Sequence, residues 1–239
     1  MATFVLIHGA AHGAWCWHKV EARLRAAGHE VVVPDLPGHG ADTTPIGALT
    51  ATSYRDRICE VLDGETEPVV LVGHSLGGLV ISIGAEERAS KISKLVYLTA
   101  VLPGPGVTFA ELAIGSPEVM VALRPNADGA SMEFASDAVE GIFYAGCSPE
   151  DVSFAKSKLC PQPAAPIALA PELTADQFGR IPRFYIECLQ DRALLPEQQK
   201  HMVEKSPCVD VYSLDTDHSP FFSAPDRLCE ILEEIAERP

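Results

Sequence analysis

Gly73-His74-Ser75-Leu76-Gly77-Gly78 sets a serine between glycines two residues before it and two after it. The apolar run Pro68-Val69-Val70-Leu71-Val72 precedes it and a helix-like segment follows. A serine offered for attack at such a strand-to-helix turn sits on strained backbone, and the small flanking residues let neighbouring chain come close. Ser75 is therefore the candidate nucleophile, and the following helix would turn its positive end toward developing negative charge. A serine nucleophile needs a base, and the base needs an acid to orient it. In the chain order serine, acid, histidine, the histidine lies in a loop after the last strand. Of the eight histidines (His8, His12, His18, His29, His39, His74, His201 and His218), only His218 meets that requirement, in Asp215-Thr216-Asp217-His218-Ser219-Pro220. The acid is expected just past the preceding strand, where Arg183-Phe184-Tyr185-Ile186-Glu187-Cys188-Leu189-Gln190-Asp191 ends on Asp191. Asp215 and Asp217 are too close to His218 in sequence to reach the far ring nitrogen comfortably, and Asp210 falls inside a strand.

Acyl transfer also requires donors for the oxyanion. His8-Gly9-Ala10-Ala11-His12-Gly13, at the end of the first apolar run, is the natural source. The two expected donors are the backbone N–H groups of Ala10 and of Leu76, the residue after the serine; losing one such donor typically costs ~3 kcal/mol of transition-state stabilisation. Gly9 and His74 are expected to border the substrate, and His12 to line the site or hold its loops. Trp15 and Trp17 read as packing aromatics, and Asp35-Leu36-Pro37-Gly38-His39-Gly40 as a turn after the second strand. No H-E-x-x-H metal motif is present, and the first strand does not end in G-x-G-x-x-G. The expected chemistry uses no metal and no cofactor.

Those residues must be presented by a frame. Apolar runs near 3–7, 30–34, 68–72, 93–99, 182–188 and 208–214 are apolar almost throughout, as strands covered on both faces must be. Helical segments fit near 17–27, 54–63, 76–88, 196–205 and 226–237; in the last, Leu228, Ile231, Leu232 and Ile235 share one face. The alternation predicts an α/β protein with a mainly parallel sheet of about six strands. From about 104 to 180 the strand rhythm stops, and short helical pieces alternate with Pro161, Pro163, Pro166 and Pro171. Ser148 as cap, Pro149 in the first turn and Glu150 and Asp151 after it mark a helix start. That stretch is too long for a simple connection. It is expected to be a helical cap (104–180) inserted into a core formed by 1–103 and 181–239.

At 239 residues, 47% hydrophobic and 21% charged, the chain has the composition of an ordinary globular domain. Its formal charge of −15, from 33 acidic and 18 basic residues, would repel phosphate backbones and anionic lipid, so neither nucleic acid nor membrane is an expected partner. Seven scattered cysteines without a C-x-x-C pair read as reduced thiols, and the N-terminus lacks the features of a signal peptide. A cytoplasmic location is expected. The expected partner is a small-molecule ester, and a homodimer is compatible with the reading.

The chain resembles the plant methylesterase and hydroxynitrile lyase branch of the α/β-hydrolases, and the bacterial carboxylesterases related to it, some of which cleave pyrethroid-type esters. The resemblance runs nearly end to end. It rests on Leu6-Ile7-His8-Gly9-Ala10-Ala11-His12-Gly13-Ala14-Trp15, Gly28-His29, Val72-Gly73-His74-Ser75-Leu76-Gly77-Gly78, Cys147-Ser148-Pro149-Glu150-Asp151, Asp191 with Pro196-Glu197, and Asp217-His218. It implies the α/β-hydrolase fold, the triad Ser75, Asp191 and His218, and a cap closing an apolar pocket over the serine. Hydroxynitrile lyases of the branch carry a lysine after the histidine and a threonine in the first oxyanion loop; here Ser219 and Gly9 stand there. A serine carboxylesterase acting on a small to medium apolar ester is the expected activity. Lyase chemistry, or a receptor that turns over slowly, are the alternatives.

Overall fold

The computed structural model describes residues 1–105, 115–168 and 171–239. Strands β1 (Thr3–Ile7), β2 (Glu30–Val32), β3 (Val69–His74) and β4 (Ile92–Leu98) fall in the first half of the chain. Three short strands follow: β5 (Leu123–Pro125), β6 (Ser131–Phe134) and β7 (Gln162–Pro163). β8 (Arg183–Cys188) and β9 (Asp210–Leu214) complete the set. The helices are α1 (His18–Ala26), α2 (Ser53–Gly64), α3 (Gly77–Glu87), α4 (Pro117–Ala122), α5 (Val139–Phe143), α6 (Pro149–Lys156), α7 (Pro196–Lys205), α8 (Pro220–Ser223) and α9 (Pro225–Glu237).

The main sheet has the order β2-β1-β3-β4-β8-β9, and all its pairings are parallel. Because side chains alternate across a strand, Phe4 and Leu6 of β1 join one apolar layer while Val5 and Ile7 join the other. The first layer is closed by α1 and α9 through Val20, Leu24, Leu228, Ile231, Leu232 and Ile235. The second is closed by α2, α3 and α7 through Ile58, Leu62, Leu79, Val80, Ile83 and Met202. With both faces covered, every residue of β3 is buried, which is why that strand reads as apolar without a break. The chain steps outward from β1 to β2 and then returns to β3. The topological switch therefore lies between β1 and β3, where the carboxyl ends of parallel strands open a crevice.

Between β4 and β8 the described chain holds the short helices α4, α5 and α6, and also a feature not expected: β5, β6 and β7 form a small antiparallel sheet, with Leu123 opposite Phe134 and Met132 opposite Gln162. Helix α6 begins as its sequence indicates, with the Ser148 hydroxyl accepting from the Asp151 N–H at 3.2 Å and Pro149 in the first turn. Asp151 also pairs with Lys19 of α1 at 2.6 Å, one tie between the insert and the core. No helix among the described residues is long and apolar enough to cross a membrane.

Candidate active site

The parallel strands deliver their chemistry at one end. β3 ends in His74, and Ser75 follows at φ 52°, in the left-handed region that non-glycine residues rarely adopt. The strained turn is held from both sides: the Ser75 N–H donates to the Leu98 carbonyl at 3.3 Å, and the Ser75 carbonyl accepts from Gly78 and Val101 N–H groups, each at 3.0 Å. A side chain at Gly77 would lie 2.8 Å from the His8 carbonyl oxygen, and one at Gly73 would lie 2.6 Å from that of Gly77. The glycines flanking the serine are thus required by close backbone approach.

Asp191, three residues past β8, is 3% exposed and spends every lone pair. Its Oδ1 accepts the N–H groups of Ala193 at 2.7 Å and Leu194 at 2.9 Å. Its Oδ2 accepts His218 Nδ1–H at 2.6 Å and the hydroxyl of Thr99. Since the carboxylate can only accept, His218 carries its proton on Nδ1 and leaves the Nε2 lone pair free to face the serine's pocket. His74 secures the same loop from the core by donating Nε2–H to the His218 carbonyl at 2.8 Å. Asp217 secures it from the cap side. Its buried carboxylate accepts from Ser223 Oγ at 2.8 Å, Gly146 N–H at 2.8 Å and Cys147 Sγ at 3.3 Å.

The loop after β1 is fixed one peptide plane at a time. The Gly9 carbonyl accepts from His8 Nδ1 at 2.9 Å, and His8 Nε2 in turn accepts the Leu36 N–H at 3.0 Å. In a planar trans peptide the N–H points opposite to the C=O, so anchoring the Gly9 carbonyl aims the Ala10 N–H the other way. The Ala10 carbonyl accepts from His12 Nδ1 at 2.7 Å, and the Ala11 N–H of the same plane donates to Gln162 Oε1 at 3.0 Å. Neither the Ala10 nor the Leu76 N–H is taken by another described residue, and both residues line the cavity that Ser75 and His218 border.

That cavity is about 300 Å³. Besides Ser75, His74, His218 and His12, its described lining is Val101, Val119, Met120, Leu123, Met132, Phe134, Phe143, Ile167, Ala193, Leu194, Gln162 and the small residues beside them. None of these carries a fixed charge. Gln162 has no free polar atom either: Oε1 also accepts from His39 Nε2 at 3.2 Å, and Nε2 donates to Tyr54 Oη and to the Pro163 carbonyl, both at 2.9 Å. Burial holds the nearby histidines neutral. Desolvation pushes His8 and His74 well below the usual histidine range, and takes His12 down to about 4.

Of the residues singled out from sequence, the structure brings Ser75, Asp191, His218, Ala10, Leu76 and His74 together. Gly9 lies against the serine. A Cβ there would stand 2.8 Å from Ser75 Cβ and 3.0 Å from His74 Nδ1, so a glycine lets the loop approach the serine. Sequence reasoning passed over Thr99, which follows β4 with φ 36° and reaches Asp191 across the sheet end. It also set Asp217 aside as a triad acid without finding its bonds to the cap. Among the described residues no group of histidine, cysteine, aspartate and glutamate has the arrangement of a metal site.

The alpha/beta hydrolase family model matches residues 4–231, and the chain belongs to that family. It is 36% identical to methylesterase 9 of Arabidopsis thaliana, covering 100% of this chain and 99% of that protein. It is 33% identical to methyl jasmonate esterase 1 of Vitis vinifera, covering 98% and 96%. Among solved structures, a pyrethroid hydrolase from Sphingobium faniae JZ-2 superposes with a TM-score of 0.89 at 30% identity, covering 100% of this chain and 98% of the other. Polyneuridine aldehyde esterase superposes with a TM-score of 0.87 at 28% identity, covering 99% and 100%.

Proposed function

We propose that this protein is a serine carboxylesterase that hydrolyses small to medium apolar esters through an acyl-enzyme on Ser75. The observation that carries the reading is the strained Ser75 turn beside the His218–Asp191 pair, in a cavity whose described lining bears no fixed charge. His218 Nε2 accepts the Ser75 proton as Oγ attacks the ester carbonyl. Negative charge gathers on the carbonyl oxygen, where the Ala10 and Leu76 N–H groups donate to it. The protonated His218, held by Asp191, then gives its proton to the departing alcohol. Water repeats the sequence to release the acid and free Ser75.

The largely paired polar lining supports the substrate class. Gln162, His12 and the ring of His74 toward His218 already spend their hydrogen bonds inside the protein, so the ester's two arms meet Met, Leu, Val, Ile and Phe. A charged arm would be desolvated without a partner, at a cost of several kcal/mol. The homologous methylesterases and the pyrethroid hydrolase are consistent with such substrates.

The position after His218 weighs against lyase chemistry: Ser219 is fully buried and brings no cation to stabilise departing cyanide. The test pairs p-nitrophenyl esters of graded acyl size with mandelonitrile. The purified protein is expected to hydrolyse the uncharged aryl esters and to release no cyanide above the buffer rate. Cyanide release with negligible ester hydrolysis, or a preference for charged acyl groups, contradicts the proposal; binding of esters without turnover would favour the receptor alternative.

A further inference from the structure

The insert does more than roof the cavity. Tyr144, directly after α5 and almost wholly buried, places its hydroxyl 2.7 Å from His12 Nε2. His12 Nδ1 lies 2.7 Å from the Ala10 carbonyl. A carbonyl can only accept, so Nδ1 bears the ring proton; the ring is neutral, so Nε2 accepts and the Tyr144 O–H donates. The chain Tyr144 O–H to His12 to Ala10 C=O therefore has one direction, and each bond polarises the next. Its end point is the peptide plane immediately after the Ala10 N–H.

The neighbouring residues tie the same stretch of insert to the opposite half of the site. The ring of Phe143 stands 5.5 Å from that of His218 and 6.0 Å from that of His12. Gly146 and Cys147 donate to Asp217, the residue before His218. Residues 143–147 thus touch both the loop that bears the oxyanion donor and the loop that bears the base.

We propose that Tyr144 is a positioning residue: acting through His12, it sets the orientation of the Ala10 peptide, and so couples the seating of the cap to the oxyanion donor. This rests on the esterase reading of the site. Two features suit the role. First, His12 is stacked on Trp15, with ring centroids 5.2 Å apart, so the imidazole has a fixed plane from which to hold the carbonyl. Second, the Ala10–Ala11 plane is also held by Gln162 through the Ala11 N–H, and the preceding plane, which carries the Ala10 N–H, by His8, so losing the Tyr144 bond should loosen the donor rather than remove it. The expected loss is accordingly about tenfold, below the ~10²–10³ that follows deletion of an oxyanion donor.

The experiment is a double-variant cycle on p-nitrophenyl ester hydrolysis with Tyr144→Phe, His12→Phe and the pair, alongside thermal melts and titration of Ser75 with a serine-directed phosphonate. Tyr144→Phe should lower kcat about tenfold with KM within twofold. Because Tyr144 acts through His12, the double variant should be no slower than the slower single variant. Multiplying losses in the double variant would overturn the proposal, as would Tyr144→Phe turning over within twofold of wild type. So would a loss of activity that merely tracks the fraction of unfolded protein. Failure of the esterase reading is distinguishable: wild-type protein would then show no hydrolysis that depends on Ser75, whatever the Tyr144 variant does.

Discussion

At Gly9 one added methyl group would press directly on the serine. A Cβ there would sit 2.8 Å from Ser75 Cβ, 3.0 Å from His74 Nδ1 and 3.3 Å from the His74 carbonyl oxygen, whereas ordinary contact begins near 3.4 Å. A displacement of at least about 0.6 Å is needed, and the question is which side gives. Ser75 is pinned by its bonds to Leu98, Gly78 and Val101, and His74 by its pairing with Leu98 in the ladder and by its bond to the His218 carbonyl. The loop must therefore withdraw, carrying the Ala10 N–H away from the oxyanion position that the proposed mechanism gives it. Misplacement by ~1 Å can cost about 10²-fold in rate. Gly9→Ala is thus expected to lower kcat on an aryl ester by about 10- to 100-fold with little change in KM. Overpacking costs about 1–3 kcal/mol, and each kcal/mol lowers Tm by ~2–4 °C in a domain of this size. The assay is steady-state hydrolysis beside a thermal melt. A variant that keeps kcat within twofold of wild type would refute the claim that loop and serine are fixed against each other.

Two further outcomes are expected. Thr99→Val keeps the side-chain volume but withdraws a hydroxyl from Asp191, a bond to a charged acceptor worth about 1.5–3 kcal/mol. Part of that should appear as a roughly three- to tenfold lower kcat, and an unchanged kcat would show that the hydroxyl does not help to hold the carboxylate. Stability should also fall with acid. His8, His12, His39 and His74 are held below the usual histidine range by burial, so the unfolded chain binds more protons below its pKa of ~6.5. The stabilisation is present above that pH and is lost as pH falls toward the folded values. His12, at about 4, contributes on the order of 3 kcal/mol across that window. Urea midpoints measured at pH 7.5, 6.5, 5.5 and 4.5 should decline steadily, and a flat profile down to pH 5 would contradict the neutral assignment.

What could be read in the sequence was whatever has a local signature. Apolar runs located the six strands of the main sheet within a few residues, most clearly the central β3, where burial on both faces leaves no exposed position. The serine turn was legible because its strained backbone demands glycines at fixed offsets. The small sheet of the insert was not: β5, β6 and β7 are two to four residues long, two of them contain proline, and too few positions exist to display a period of two. Thr99, Asp217 and the Tyr144–His12 pair were hidden for another reason. Their partners lie 92, 71 and 132 residues away along the chain, and a hydroxyl or carboxylate carries no mark of what it will meet. Gly9 shows the converse: its residue type was plain, but only the fold reveals how closely it approaches Ser75.

On the esterase reading, Ser75 forms the covalent intermediate. The direct measurement is intact-mass analysis and peptide mapping after incubation with an uncharged aryl phosphonate, run on the wild-type protein and on Ser75→Ala. One equivalent of label on Ser75 is predicted, together with loss of hydrolysis in step with labelling. The alanine variant should remain folded, unlabelled and slower by on the order of 10⁶ in kcat. Label on any other residue, or an alanine variant that still hydrolyses the ester at an appreciable rate, would contradict the account.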